Sequence, residues 1–358
     1  MRRRILFLNR SGTKGCIQKG TASRTNEQFR STAVFILFLS FLVPTAAKGQ
    51  GVPYKLGDVF VSVSNGQVQH RDSAGNLLET LNTLQGGFTT GMAFDSAGNL
   101  YVTDFSAGTV STFDSKGALI GTFGSGYSGS PESVLFDRNG NVYVGAVNGD
   151  NAIRKFDALG KPLGQFNVAT ESRGSDWIDL AADQCTIFYT SEAQNVKRFN
   201  VCANTQLSNF NVNPLPNSVA YALRILPTGG LLVANTSVIS RLDSYGNVVQ
   251  TYDASGENCW FALNLDPDGS SFWSGDFCSS NVYKFDIATG RQLFKFNTGT
   301  PFLTVFGLVV FGEIAVGKPS VLHATVGNQT VYLYWDPSRE PVDRYRLVVL
   351  PAKTGQPT

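Results

Sequence analysis

The sequence predicts an all-β fold, a β-propeller of six four-stranded blades. Three observations predict it. A self-similar pattern recurs with a period of about 40–45 residues. Each copy divides into four short apolar runs separated by turns rich in Gly, Asp and Asn. Charged residues make up only 16% of the chain while Gly (37) and Phe (26) are abundant, and no long helical apolar spacing occurs beyond the N-terminus.

Five full copies are legible: Gly91–Phe123, Ser133–Phe166, Ile178–Phe210, Ala222–Tyr252 and Ala262–Phe296. The first two runs of a copy are joined by a turn such as Ser96-Ala97-Gly98-Asn99 or Pro267-Asp268-Gly269. The last two are joined by Asp-x-x-Gly, as in Asp114–Gly117 and Asp157–Gly160. Gly supplies positive φ there, and the Asp side chain closes the turn on nearby N–H groups. These are turn signatures and not calcium loops; no EF-hand pattern, GxSxG, P-loop or dinucleotide fingerprint occurs.

The ends predict how the ring closes. Asp58–Asn82 contains three runs and lacks an inner strand before them. Phe306–Phe311 matches an inner strand with nothing of its blade behind it. Joining the two completes a sixth blade and hides two sheet edges. The propeller is thus expected over 51–312.

Residues 1–47 read as a signal peptide with a long n-region. Arg24 and Arg30 precede the apolar run Ala33–Val43, and Thr45-Ala46-Ala47 supplies the small residues of a cleavage site. An uncleaved signal anchor is the alternative. Nine of the 29 Lys/Arg and one of the 27 Asp/Glu precede Gly49, so the body carries about −6. That sign argues against a nucleic-acid partner or an anionic membrane surface. After cleavage no integral membrane span is expected, and the protein is read as a monomer, secreted, extracellular or periplasmic.

Export makes the cysteines informative. Beyond the leader four remain, Cys185, Cys202, Cys259 and Cys278, with no CxxC pair and no His at zinc spacing. Cys259 precedes an inner strand and Cys278 follows the second strand of the same blade. Cys185 and Cys202 lie in the first and third turns of another. The blade layout therefore predicts Cys185–Cys202 and Cys259–Cys278 bridges. Residues 313–320 read as a linker. Residues 321–358 resemble the opening of a fibronectin type III domain, with Trp335, Asp336-Pro337 and Tyr345 at its core positions, truncated before a sandwich is complete. A plain C-terminal extension is the other reading.

The repeats themselves resemble NHL and SMP-30/gluconolactonase-like (LRE-like) blades. That resemblance implies a ligand site over the central channel, where the inner strands begin, and in the SMP-30 enzymes a divalent cation held there by Glu, Asn and Asp. The matching entry positions in this chain are taken as Thr90, Glu132, Trp177, Tyr221, Phe261 and Phe306. One acid among six does not supply the several oxygen ligands of a hard cation. No metal and no cofactor is therefore expected; calcium or another divalent cation belongs only to the alternative below. Virginiamycin B lyase, another propeller relative, uses a His, but His70 falls on an outer strand and His323 lies beyond the linker.

Candidate residues at the channel mouth are Glu132, Asp176 and Asp179, with the aromatic set Trp177, Tyr221, Trp260, Phe261 and Phe306. Arg224 and Asn264 stand two residues into their inner strands and by period-two alternation face the channel. Each has a structural counterpart reading: turn-bonding for the acids, blade packing for the rings, an ion pair with Asp266 for Arg224. The expectation is a secreted, non-catalytic binding module for a small molecule, carbohydrate or protein. The alternative is a metal-dependent hydrolase of lactone type using Glu132 with Asp176, Asp179 or Asn264. A scaffold piece of a longer cell-surface protein is a third possibility. Three or more side-chain oxygens converging above the channel favour the hydrolase; Glu132 alone among aromatics favours the module.

Overall fold

The computed structural model describes residues 51–313 and, beyond them, the strands Leu322–Gly327 and Thr330–Trp335. The leader at 1–47 and most of the linker and C-terminal segment lie outside the described residues. The two outlying strands pair antiparallel, Leu322 opposite Trp335. No helix among the described residues is long and apolar enough to cross a membrane.

Residues 51–313 form six four-stranded antiparallel sheets, the blades of a propeller. Blades 2–6 are each a continuous meander whose inner strands are Met92–Phe94, Ser130–Phe136, Ile178–Leu180, Leu223–Ile225 and Trp260–Leu265. Blade 1 is the exception. Its inner strand, Gly307–Val310, comes from the far end of the domain and pairs with Val59–Val63, so that Phe60 faces Val309. The predicted closure is therefore the observed one, and no described inner strand is left without its blade.

The strand pattern follows from the wedge between blades. Successive residues of a strand point to opposite faces, so both faces of each inner strand meet a neighbouring blade. Leu100, Val102 and Phe113 of blade 2 pack with Phe60, Val68 and Val309 of blade 1. Tyr101 and Val110, one residue out of phase, pack with Val134, Val142 and Val144 of blade 3. This double burial explains why the inner two strands read as continuous apolar runs while the outermost strands are half-exposed.

The turns behave as their residues require. Asp95 Oδ1 accepts the Ala97 and Asn99 N–H groups at 2.8 and 2.9 Å, and Gly98 sits at φ 84°. The same Asp-based turn recurs at Asp72, Asp114, Asp137, Asp157 and Asp243. Both predicted disulfides are present, Cys185–Cys202 and Cys259–Cys278. Asp276 orders the second one: its carboxylate accepts N–H bonds from Cys259 at 2.7 Å and Cys278 at 2.9 Å.

Closure puts one glycine under close contact. A Cβ at Gly307 would lie 1.7 Å from the Thr90 carbonyl oxygen of blade 2. Gly307→Ala must push blades 1 and 2 apart, and overpacking of this kind costs on the order of 1–3 kcal/mol. Thermal unfolding should show a lowered midpoint for Gly307→Ala, but not for Gly164→Ala, where nothing lies within 4 Å of the added carbon. Equal melting of the two variants would contradict the closure geometry.

Candidate functional site

The end of the channel where the inner strands begin is built by one repeated hydrogen bond. In blades 2, 4 and 5 the residue two before the inner strand donates its N–H to the second strand of its own blade or the residue just past it: Thr90 to Thr103 O, Asp176 to Thr190 O, Tyr221 to Ala234 O. Two blades depart from this. Glu132 and Phe261 are each the extra residue of a β-bulge, and their carbonyls accept from the previous blade, from Gly91 N and Ala222 N. A bulge re-aims the side chain it carries. The entry ring is thus Thr90, Glu132, Asp176, Tyr221, Phe261 and Phe306.

This corrects the sequence register in blade 4 by one residue. Asp176, not Trp177, holds the entry position. Trp177 is buried one step further in, with its ring edge-on to Phe261 at 6.5 Å and 5.8 Å from the Arg224 guanidinium carbon. The ring of entry positions therefore holds two acids, on neighbouring blades.

Glu192 joins them from the turn after the second strand of blade 4. One carboxylate oxygen from each of Glu132, Asp176 and Glu192 lies within 4.8 Å of the others. Glu132 is 3% and Asp176 0% exposed. Glu132 Oε2 and both Asp176 oxygens have no hydrogen-bond partner. Glu192 is held by Arg173, whose Nη1 donates to its Oε1 at 2.7 Å. Burial pushes the Glu132 carboxyl well above the usual range, and the charges of Asp176 and Glu192 add to this. Asp176 is raised in the same way, by burial first and then by Glu192, with Arg173 opposing. Two ionised carboxylates buried this close would cost several kcal/mol, so the pair calls for a proton or another cation.

Beside the acids lies an aromatic floor. Tyr221 stands 4.4 Å from Phe261, which meets Phe306 at 5.3 Å and Phe277 at 5.7 Å. Phe88 extends it, 5.0 Å from Phe306 and 41% exposed. Phe302, in the loop before the closing strand, is 65% exposed. Acids and rings adjoin at Tyr221, whose hydroxyl is raised to about 12 by burial and then by Glu192, Asp176 and Glu132. Trp260 is not part of this floor. It is buried within blade 6 against Tyr283 and Phe285, with its indole N–H donated to Asp253.

Asp179, Arg224 and Asn264 are brought together in a different role. Asp179 Oδ2 accepts the Ile225 N–H of the next blade at 2.8 Å. Asn264 Oδ1 accepts the equivalent Val310 N–H at 2.9 Å. Between them Arg224 holds Glu313, and Glu313 Oε1 accepts the Leu265 N–H at 2.9 Å. The oxygens of Asp179, Asn264 and Glu313 thus each cap an inner-strand N–H of a neighbouring blade, and Arg224 holds Glu313 in place. Arg224 pairs with Glu313, not with Asp266, which instead binds Trp273 Nε1 and Lys284. Asp179 and Arg224 also wall a cavity of about 1450 Å³ at the opposite end of the channel, with Leu135, Val309 and Phe311. His70 is packed and buried, its nitrogens 2.8 Å from Asp58 and 3.0 Å from Glu79.

Sequence reasoning missed Glu192, Arg173, Phe277 and Phe88. Glu192 and Phe277 share a signal: both follow the second strand of a blade, which ends at the entry face.

No family model and no curated protein sequence matches the chain. Solved structures of similar fold include a nidogen/laminin complex, at 14% identity and TM-score 0.59, covering 71% of this chain and 98% of that one. A streptogramin B lyase matches at 16% identity and TM-score 0.53 over 73% of this chain and 86% of its own. A protein of unknown function from Bacteroides caccae matches at 13% identity and TM-score 0.56, over 71% and 98%. These likenesses show the six-bladed propeller fold.

Asp179 gives a pH prediction. Burial raises its carboxyl to about 6, against Arg224 and the Ile225 N–H, which lower it. A carboxyl raised in the fold keeps a proton that the unfolded chain releases. Its contribution is therefore full at low pH and is lost as pH rises from about 4 to about 6. Asparagine keeps an acceptor for the Ile225 N–H, as Asn264 does for Val310 two blades on, and gives up the one for the Leu180 N–H at every pH alike. Asp179→Asn should gain stability relative to the parent by roughly 2–3 kcal/mol between pH 4 and pH 8. Denaturant melts at the two pH values check this; a constant difference would sink it.

Proposed function

We propose that this propeller is a secreted binding module that takes its ligand on the aromatic floor at the entry end of the channel. The carrying observation is that floor: Tyr221, Phe277 and Phe306 each against Phe261, with Phe88 against Phe306 and half-open to solvent. Flat rings of this kind suit the apolar face of a sugar or a planar small molecule. Secretion is supported by the leader-like segment and by two disulfides, which persist in oxidising compartments. The NHL- and SMP-30-like character of the repeats supports the architecture, and fold alone does not choose a function. The same fold occurs in a nidogen/laminin complex and in a streptogramin B lyase.

A second reading is the divalent-metal hydrolase, favoured by the convergence of Glu132, Asp176 and Glu192. The donor set is all oxygen, and its orphaned buried atoms fit a hard cation. Against catalysis stands their burial. A catalytic ion keeps an open position for water or substrate, whereas Glu132 and Asp176 are closed to solvent.

Saturation-transfer NMR with a panel of mono- and oligosaccharides tests the first reading. Signal from a bound sugar should appear with the parent protein and fall at least fivefold in Phe88→Ala. Hydrolysis of an aldonolactone by the calcium- or manganese-supplemented protein, abolished by Glu132→Gln, would replace the module reading with the hydrolase one.

A further inference from the structure

The acid cluster of blades 3 and 4 carries its own counter-charge. Glu132 Oε2 and both Asp176 oxygens are buried and accept no hydrogen bond from a donor, and one oxygen of each carboxylate lies within 4.8 Å of the other and of Glu192. Three carboxylate oxygens within 4.8 Å of each other are spaced to share one ion at the roughly 2.3–2.6 Å of calcium–oxygen bonds. The Glu192 carboxylate is at the same time engaged by Arg173, through Oε1 at 2.7 Å.

The Arg173–Glu192 pair is set up by backbone and not by chance contact of two long side chains. The N–H groups of Ser172 and Arg173 both donate to Ser191 O, at 3.1 and 3.2 Å. Glu171 N donates to Ser191 Oγ at 2.8 Å, and Ser191 Oγ donates to Arg173 O at 3.2 Å. These bonds fasten the loop carrying Arg173 to the residue before Glu192. Glu192 itself sits at φ 46°, a left-handed conformation that L side chains rarely adopt, and one of its carboxylate oxygens lies within 4.8 Å of those of Asp176 and Glu132. The Arg173 side chain is 40% exposed and the Glu192 side chain 12%, so the guanidinium lies on the solvent side of the cluster.

We propose that Arg173 is a tethered competitor for this site: a hard divalent cation binds Glu132, Asp176 and Glu192 by displacing the guanidinium from Glu192 into solvent. The proposal rests on reading the acid cluster as a cation site and adds the residue that sets its affinity. Arg173 supplies positive charge when no ion is bound, and an ion must win Glu192 from it. Affinity is thereby weakened, and the ion's entry is coupled to movement of one exposed side chain.

Titration calorimetry with calcium chloride and with manganese chloride tests this on the parent and on Arg173→Gln, Glu192→Gln and the double variant. Arg173→Gln should bind at least tenfold tighter than the parent, and Glu192→Gln at least tenfold weaker. In the double variant the gain from Arg173→Gln should vanish. Binding seen in Arg173→Gln alone supports the proposal equally. If the ions bind parent and Arg173→Gln with equal affinity, or bind the variant more weakly, Arg173 is not a competitor although the cluster is a cation site. If neither ion binds either protein while both melt cooperatively, the cation reading of the cluster itself is lost.

Discussion

An inner strand of a propeller has one edge with no partner, and the rest of this structure arranges itself around that edge. Its N–H groups have no strand to donate to, and an unmet buried donor costs about 1–3 kcal/mol. The chain meets the need in two ways. At the entry end, bulges at Glu132 and Phe261 turn a carbonyl towards the preceding blade. Deeper in, Asp179, Asn264 and the Arg224–Glu313 pair reach across to the following one. Polar residues in the channel are therefore first of all blade-to-blade fasteners.

That constraint separates structural acids from candidates for chemistry. Asp179 and Glu313 are occupied by backbone donors. Glu132 and Asp176 are not, and their oxygens face each other and Glu192 instead. At the position of Asp179, Arg224 and Asn264, blades 1–3 carry Val309, Ala93 and Leu135 instead, so the polar fasteners at that level belong to blades 4–6. The acid cluster joins blade 3, through Glu132, to blade 4, through Asp176 and Glu192.

The architecture was legible in the sequence because its period, its Asp-x-x-Gly turns and its unmatched end strands all have local causes. The disulfides were legible for the same reason: each joins positions within one blade. The site was legible only in part. Alternation says which residues share a face, but a bulge adds a residue without changing composition. Blade 4 carries no bulge, but its Trp177 stands where blade 2 has Gly91, so counting from Ile178 placed Trp177 where Asp176 stands and halved the number of entry acids. Arg224 and Asn264 bond to partners 89 and 46 residues away, beyond any local pattern. Glu192 and Phe277 came from a strand end that had not been considered part of the mouth.

The strand that completes blade 1 has a consequence for biosynthesis. Val59 pairs with Val310, so the first blade to leave the ribosome is the last to be finished. Blades 2–6 each close on local contacts as they emerge, while three strands of blade 1 wait with an uncovered hydrogen-bonding edge until the final segment arrives. Contacts of such long sequence separation slow folding and leave an edge open to foreign strands in the interval. The ring's seam is then both the slowest joint to form and the place where a nascent chain would most need a chaperone.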